Sequence, residues 1–430
     1  MNYPSRSGVS LLEVLISIFV LSLGLLGVAA VIPVGGHEIL EAVKADRAAA
    51  CGQSVLHDMK VSRMLNLGEW LRVDPNNPGG PLIAIGAINP YTQLGAYTNE
   101  HRGYLSGESY AIDSLYMAAN ASANRMEFTD FPYNPRTPGT PIGVGWTRLQ
   151  RVTWSRAGLN PALARAIYEW RDDLVIPSPD DETQRPELLM VRDTGGNPLM
   201  GENAGHYTYL VTVTPSTENI DFVNDMGPNQ DNLPYTYTES TPQYTVSVVV
   251  FYRRDMTVPS GFGADQTPGE RQVMLKFVGG GYGGGDVLLS LLPSDSISQA
   301  PYLDIKENEW LMVSGGYLRS APFQNPGMPL PQDYPLMPVG VHKWYRILAT
   351  GDTVVEQDTN FNGRVDPEED LNGNGVFDPP YRDATLAGPD WNPFWALDLD
   401  GDPNTPPAEA LATLVKGAVG VYTKTIEFDW

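Results

Sequence analysis

Four things are scarce in this 430-residue chain: cysteine, histidine, positive charge and, over one N-terminal stretch, charge of any kind. The single cysteine, Cys51, permits no internal disulfide. It lies in an alanine-rich helical stretch and reads as a small packing residue, the usual habit of a free thiol. There are five histidines, His37, His57, His101, His206 and His342, and His37 and His57, on a predicted helix, read as surface or packing residues without metal-type spacing. Lys and Arg number 28 against 51 Asp and Glu, a net charge of −23. A surface that acidic repels phosphate backbones, so no nucleic-acid partner is expected. A catalytic constellation is also lacking. Gly-Glu-Ser-Tyr-Ala around Ser109 misses the closing glycine and the strand–turn–helix setting of a nucleophile elbow. The acid pairs Asp172/Asp173 and Asp180/Asp181 are neighbours in sequence, which says little about the separation glycoside chemistry needs. Gly279–Gly285, GGGYGGG, has no Lys-Ser/Thr after it and reads as an irregular hairpin connection, not a phosphate loop. The expectation is a protein that is not an enzyme.

What is present starts with an apolar run. Val14 to Gly36 are 23 residues without a charged side chain. As a helix they would span about 34 Å, enough to cross a bilayer. Arg6 and the amino terminus precede them, which favours a cytoplasmic N-terminus. Glu13 stands at the head of the run, where a carboxylate in hydrocarbon costs about 2.5–3.5 kcal/mol. A secretory signal peptide cut near Ala29 or Ala30 would have a shorter apolar region and no such acid. A plain anchor gives Glu13 no role. A short polar leader ending in Gly8, with Glu13 fifth after it, fits a third reading. The run GVSLLEVLISIFVLSLGLLGVAA resembles the cleavage and methylation segment of type IV pilin-like proteins, the minor pilins and pseudopilins.

That resemblance implies a leader over residues 1–8, cleavage between Gly8 and Val9 by a prepilin peptidase, and methylation of the new amine. It implies a transmembrane and assembly helix over 9–34, with Glu13 meeting the amino terminus of a neighbouring pilin or pseudopilin subunit. A buried carboxylate is tolerable when so paired, and removing one partner leaves a charge costing about 3–5 kcal/mol. Val9 departs from the phenylalanine usual there. Pro33, Gly35 and Gly36 predict a kink or local melting. A helical stalk over 35–68 follows, with Ile39, Leu40, Val43, Ala50, Val55, Leu56 and Met59 on one face and Gly68 as its stop.

From 69 to 430 the texture turns to Pro, Gly, Asn, Tyr and Thr with short apolar runs. Alternation predicts strands over Tyr207–Thr214, Tyr244–Tyr252, Val273–Val278 and Val287–Leu292, with others in NEWLMVSGG, HKWYRILAT and the terminal VGVYTKTIEFDW. Pro161–Leu174 is the best helix candidate there. The fold class expected is α+β, a long N-terminal transmembrane helix leading into a large antiparallel β-rich head, with room for an inserted second β domain.

One stretch of the head carries a chemical signal. With Asp358 at position one, Asn360 and Asn362 fall at three and five, Gly363 at six, Arg364 at seven, Asp366 at nine and Glu369 at twelve. Alternate oxygens would converge on one cation, Arg364 offering its carbonyl and Glu369 two oxygens, as a calcium loop requires. The pattern repeats at Asp370, Asn372, Asn374, Gly375 and Asp378, but Tyr381 takes the twelfth place, so a ligand must be borrowed, Asp383 for example. Pro367, Pro379 and Pro380 oppose exiting helices, so the segment 358–383 resembles dockerin and thrombospondin type 3 calcium loops. An all-oxygen set favours Ca²⁺ over Zn²⁺. The plainer reading is an Asn/Asp/Gly loop making side-chain turns, and it suits Asp398, Asp400 and Asp402 better. The chain is thus expected to be a single-pass inner-membrane filament subunit with a calcium-stabilised head outside. The alternative is a membrane-anchored extracytoplasmic binding or adhesion protein that joins no filament.

Overall fold

The computed structural model describes residues 11–73, 81–84, 109–120, 130–132, 149–170, 207–217, 222–223, 235–236, 243–254, 256, 269–292, 297–320, 336–354, 380–395 and 409–427. In chain order the elements are α1 (Leu11–Val61), β1 (Trp70–Arg72), β2 (Ile83–Ala84), β3 (Tyr110–Ile112), α2 (Ser114–Asn120), β4 (Asp130–Phe131), β5 (Leu149–Trp154), α3 (Pro161–Tyr168), β6 (Tyr207–Pro215), β7 (Phe222–Val223), β8 (Tyr235–Thr236), β9 (Gln243–Tyr252), β10 (Glu270–Phe277), β11 (Gly284–Ser290), β12 (Trp310–Ser320), β13 (Leu336–Val354), β14 (Tyr381–Ala387), β15 (Glu409–Val415) and β16 (Ala418–Glu427). This is the expected α+β class, a long N-terminal helix followed by a head of mostly antiparallel strands.

The helix is longer and less broken than the sequence suggests. It runs through Pro33, Gly35 and Gly36 without the expected melting. One proline removes a single hydrogen bond, and helix propagation from strong formers on both sides carries the chain across. It stops at Val61 rather than at Gly68, because Arg63 takes a left-handed conformation (φ 59°) and does the work of a glycine cap. Gly68 instead sits in a short 3₁₀ turn. The other anticipated helix is shorter than read. Asn160 caps α3 by accepting from the amides of Ala162 and Leu163, and Pro161 opens it. It ends at Tyr168, not Leu174, because Glu169 turns extended to pair with Thr208 and the Trp170 amide donates to the Tyr207 carbonyl at 3.0 Å.

The strands form two sheets. The first, the frame sheet, has the order β16-β9-β6-β3-β5-β1-β2, with β4 beside β5. Its central strands are covered on both faces. Along β9, Tyr244, Val246, Val248 and Val250 join the core beneath α1, while Val249 and Phe251 join a second core on the opposite face. Strand β6 divides the same way, Tyr209, Val211 and Val213 against Leu210. Period-two alternation between two apolar environments explains why these strands read as nearly continuous apolar and hydroxyl runs.

The second sheet has the order β13-β14-β11-β10-β15-β12, and β12 pairs back with β13 along its length. All six pairings are antiparallel, so these strands close into a barrel. The small hairpin β7–β8 adds to β12. Val273, Leu275, Val287, Leu289, Leu311, Val313, Tyr345, Ala412 and Leu414 share its core with Trp391 and Trp395. The barrel is an insertion. Phe251 of β9 and Ala418 of β16 are partners in the frame sheet, and the Tyr252 amide donates to the Gly417 carbonyl at 2.8 Å. The six barrel strands therefore leave the frame after β9 and rejoin it at β16, at one point, which gives the inserted domain the boundary that composition did not reveal, while β7 and β8 reach the barrel from the β6–β9 connection.

Candidate functional site

The helix α1 has two surroundings. In its upper half Ala48, Cys51, Gly52, Val55 and Met59 are buried, a spacing of three and four residues that makes one stripe. The stripe packs on β9 and β16. Cys51 is indeed a packing residue, fully buried. Of the face expected from sequence, Val55, Leu56 and Met59 do turn inward, whereas Ala50 is exposed and Ala48 and Cys51 hold the contact instead. Close approach depends on Gly52, where a Cβ would lie 2.0 Å from the Tyr422 ring.

The lower half has no such stripe. Leu11 is 79% exposed, Phe19 66% and Leu26 71%, and Ile39, Leu40 and Val43 are exposed as well. Apolar side chains point all round the helix, the pattern of a segment meant for an apolar medium or a bundle interior. Ser17 donates to the Glu13 carbonyl at 2.7 Å and Ser22 to the Ile18 carbonyl, so these hydroxyls are satisfied within the helix. Glu13 is exposed on the first turn among these residues. Among the described residues, no helix is long and apolar enough to cross a membrane. Gly8 and Val9, the expected processing site, lie outside the described residues.

Sequence and geometry meet at this helix. Residues 4–29 match the prokaryotic N-terminal methylation motif. The chain therefore opens with a type IV pilin-like prepilin segment. No curated protein and no solved structure matches the chain. The prepilin segment and the exposed apolar half of α1 overlap over 11–27, and the head begins to bury the same helix at Ala48.

The residues expected to hold calcium, Asp358, Asn360, Asn362, Arg364, Asp366, Glu369, Asp370, Asn372, Asn374 and Asp378, all lie outside the described residues, as do Asp398, Asp400 and Asp402. Among the described residues no group of three or more His, Cys, Asp or Glu is placed to hold a metal ion. The ends of the segment are described. Val354 and Tyr381 are direct partners in the antiparallel pair β13–β14, so the acidic stretch is the connection of a barrel hairpin and leads into strands at both ends. Tyr381 and Asp383 lie in β14, Asp383 exposed. Arg382 braces this root by donating to the carbonyls of Gly351 and Leu303 and to Thr350 Oγ1.

The glycine run is the β10–β11 connection, as expected, and it is tied down. Gly281, Gly283, Gly284 and Gly285 all have positive φ. The Trp391 amide donates to the Gly281 carbonyl at 2.9 Å, and the Gly283 amide to Asp390 Oδ1 at 2.6 Å. Ser109, of the elbow-like motif, is buried and leads into β3.

Sequence reasoning missed a buried ionic quartet that joins frame to barrel. Asp113, at the entrance to α2, accepts from Arg254 twice, Nη1 to Oδ1 at 2.9 Å and Nη2 to Oδ2 at 2.7 Å. Arg254 Nη2 also reaches Glu270 Oε1 at 3.1 Å. Arg151 of β5 donates to Glu270 Oε2 and sets its Nε 3.5 Å from Asp113 Oδ2. The Tyr116 ring centroid lies 3.7 Å from the Arg151 guanidinium. Burial disfavours the Asp113 carboxylate, but Arg254 and then Arg151 outweigh it and hold its pKa below the ordinary range. Burial also opposes the Arg254 charge, and Asp113 and Glu270 more than reverse that. Two cations and two anions cancel. The sequence hint is Arg151 itself, which shares a face of LQRVTW with Leu149 and Thr153; Leu149 joins the core with Met312 and Trp344 of the barrel, while Thr153 bonds Ser114 of α2.

Proposed function

We propose that this protein is a minor pilin or pseudopilin: a structural subunit of a type IV pilus or a related secretion filament, and not a catalyst. A prepilin peptidase would remove residues 1–8. The helix over 9–34 would then anchor the chain in the inner membrane, N-terminus inward, and later enter a filament. The observation that carries this reading is the change of surroundings along α1. The part that matches the methylation motif exposes apolar side chains all round, and from Ala48 onward the helix is seated on its own head. A helix so divided needs a second apolar environment, first lipid and then other subunits. Glu13 would register each subunit against the new amine of a neighbour, and charge pairing away from water makes such a contact selective.

We further infer a structural role for calcium. The support is the repeated oxygen-donor spacing from Asp358 to Asp378 and the anchoring of that segment's two ends in one hairpin. Calcium outside the cell suits loops of this type.

Intact mass of the membrane-extracted protein tests the main reading. Loss of residues 1–8 plus one methyl group is expected. Glu13→Ala is expected to leave processing and head folding unchanged while abolishing filament incorporation. A mature chain that keeps its leader, or normal incorporation of Glu13→Ala, would overturn it.

A further inference from the structure

Not all the exposed apolar residues of α1 belong to the proposed span. The helix is unbroken from Leu11 to Val61, and burial by the head begins only at Ala48. With residues 14–33 filling the hydrocarbon, about 30 Å of helix, Val43 stands about 15 Å beyond it. In this neck Ile39 is 66% exposed, Leu40 62% and Val43 47%. Glu38, Glu41, Lys44, Asp46 and Arg47 lie in the same stretch, and charges so dense oppose burial in lipid.

The chain's own head faces another way. By helical spacing, Val43 points roughly 125° from the mean direction of Ala48, Cys51, Val55 and Met59, the residues seated on the frame. The head side of the neck is taken by Lys44, whose ammonium lies 5.2 Å from the Tyr252 ring centroid and 2.6 Å from Glu41 Oε1. The free side is arranged around Val43. Ile39 and Leu40 come four and three residues before it, and Asp46 and Arg47 three and four after, so each pair straddles it. Ile39 and Asp46 fall on one flank, Leu40 and Arg47 on the other. Asp46 and Arg47 are both exposed.

This pattern is complementary to itself. A two-fold axis parallel to the helix sets each flank against the opposite flank of a copy. Val43 then meets Val43, Leu40 meets Ile39, and each Asp46 meets the other copy's Arg47. We propose that the neck pairs two copies of this chain in parallel, through Ile39, Leu40 and Val43, with Asp46 and Arg47 bonded across the two-fold axis. Two helices that enter one membrane from the same side are necessarily parallel. Each head lies away from the shared axis, on the far side of its own helix, so the pair accommodates both. The inference rests on the anchoring part of the reading above, and on neither leader removal nor filament entry.

The test is oxidative cross-linking of the full chain in membranes. Val43→Cys is expected to give a disulfide dimer. Ala45→Cys, exposed on the opposite side of the helix, and the parent, whose Cys51 is buried, should give none. Added to Val43→Cys, Asp46→Arg and Arg47→Asp should each lower the dimer about threefold, and the two together should restore it. Glu13→Ala, expected to stay out of filaments, should leave the dimer unchanged. Loss of the dimer with Glu13→Ala would assign the contact to the filament. No recovery in the double charge exchange would mean that the occupant is not a second copy, and an equal dimer from Ala45→Cys would mean collision without a preferred face. Each of these results removes the proposal. A membrane-bound chain with no Val43→Cys dimer removes it and leaves the anchor standing, whereas a chain found in the soluble fraction overturns both.

Discussion

The frame sheet ends in edges and is covered on both faces by other parts of the molecule, whereas the described barrel strands close in a ring and are filled from within. One chain uses similar strand residues for both. The frame needs α1 on one face and the barrel on the other, so its order is borrowed from its neighbours. The barrel needs only its own closure and its tryptophans. Where they meet, the contact is apolar around Phe251, Met312 and Trp344, with Trp344 Nε1 donating to Thr212 Oγ1 at 3.1 Å, and ionic at the quartet. The barrel is thus a guest between β9 and β16, tied to its host by the chain at that point, by the β7–β8 pair on β12, by an apolar patch and by four buried charges.

Breaking that joint is expected to have the largest effect. Arg151→Ala leaves Asp113 and Glu270 buried with one guanidinium between them, at a cost of about 3–5 kcal/mol. Denaturant unfolding of the variant, followed by tryptophan fluorescence and by hydrogen exchange, should show frame and barrel separating into two transitions. A single transition within about 1 kcal/mol of the parent would mean that the apolar patch alone couples them.

Calcium should act on the barrel only. At a hundredfold excess over Kd it would stabilise by about 2.7 kcal/mol. The expected readout is slower exchange in β13 and β14, absent in chelator and in Asp358→Ala, with the frame amides unmoved. No heat on titration and an unchanged melting point in chelator would remove the metal from the account.

A change confined to the frame comes next. Gly52→Val forces atoms into the space of the Tyr422 ring, and overpacking of this kind costs about 2 kcal/mol. The upper half of α1 should loosen from β16, and Cys51, now buried, should become open to thiol reagents. The barrel should melt as before.

Most of this architecture was legible where a residue's local setting decides its structure. The strands around Leu210, Val249, Leu275 and Leu289 show in the alternation, and the prepilin segment shows in Gly8, Glu13 and the uncharged run. Ends of helices were less legible. Arg63 adopts a conformation that sequence assigns to glycine, and Glu169 leaves its helix for a partner strand 39 positions later, Thr208. Barrel closure was invisible, since the pairing of β12 with β13 rests on register between distant segments. The quartet was invisible for the same reason, its members lying at 113, 151, 254 and 270.

The smallest expected effect is a mild acid sensitivity that originates in the barrel. His342 of β13 is buried, with Nδ1 2.9 Å from Ser314 Oγ, and burial pushes its pKa down to about 3. An unfolded histidine titrates near 6.5. Between these values the unfolded chain binds a proton that the folded chain refuses, so stability must fall as pH falls below about 6.5, by about 1.4 kcal/mol per pH unit. Asp113 works in the same direction but lower on the scale. Its folded pKa is depressed, so its contribution is complete above the ordinary aspartate value and is lost only as pH drops through the folded one. The interval from pH 6.5 to about 4.5 therefore isolates His342 from the quartet. His342→Gln keeps a polar partner for Ser314 and cannot be charged. Its unfolding free energy should be nearly flat from pH 6.5 to 5.5, where the parent loses about 1 kcal/mol. Equal slopes in the two proteins would place the acid sensitivity elsewhere, and a slope removed by Arg151→Ala but not by His342→Gln would move it from the barrel to the joint.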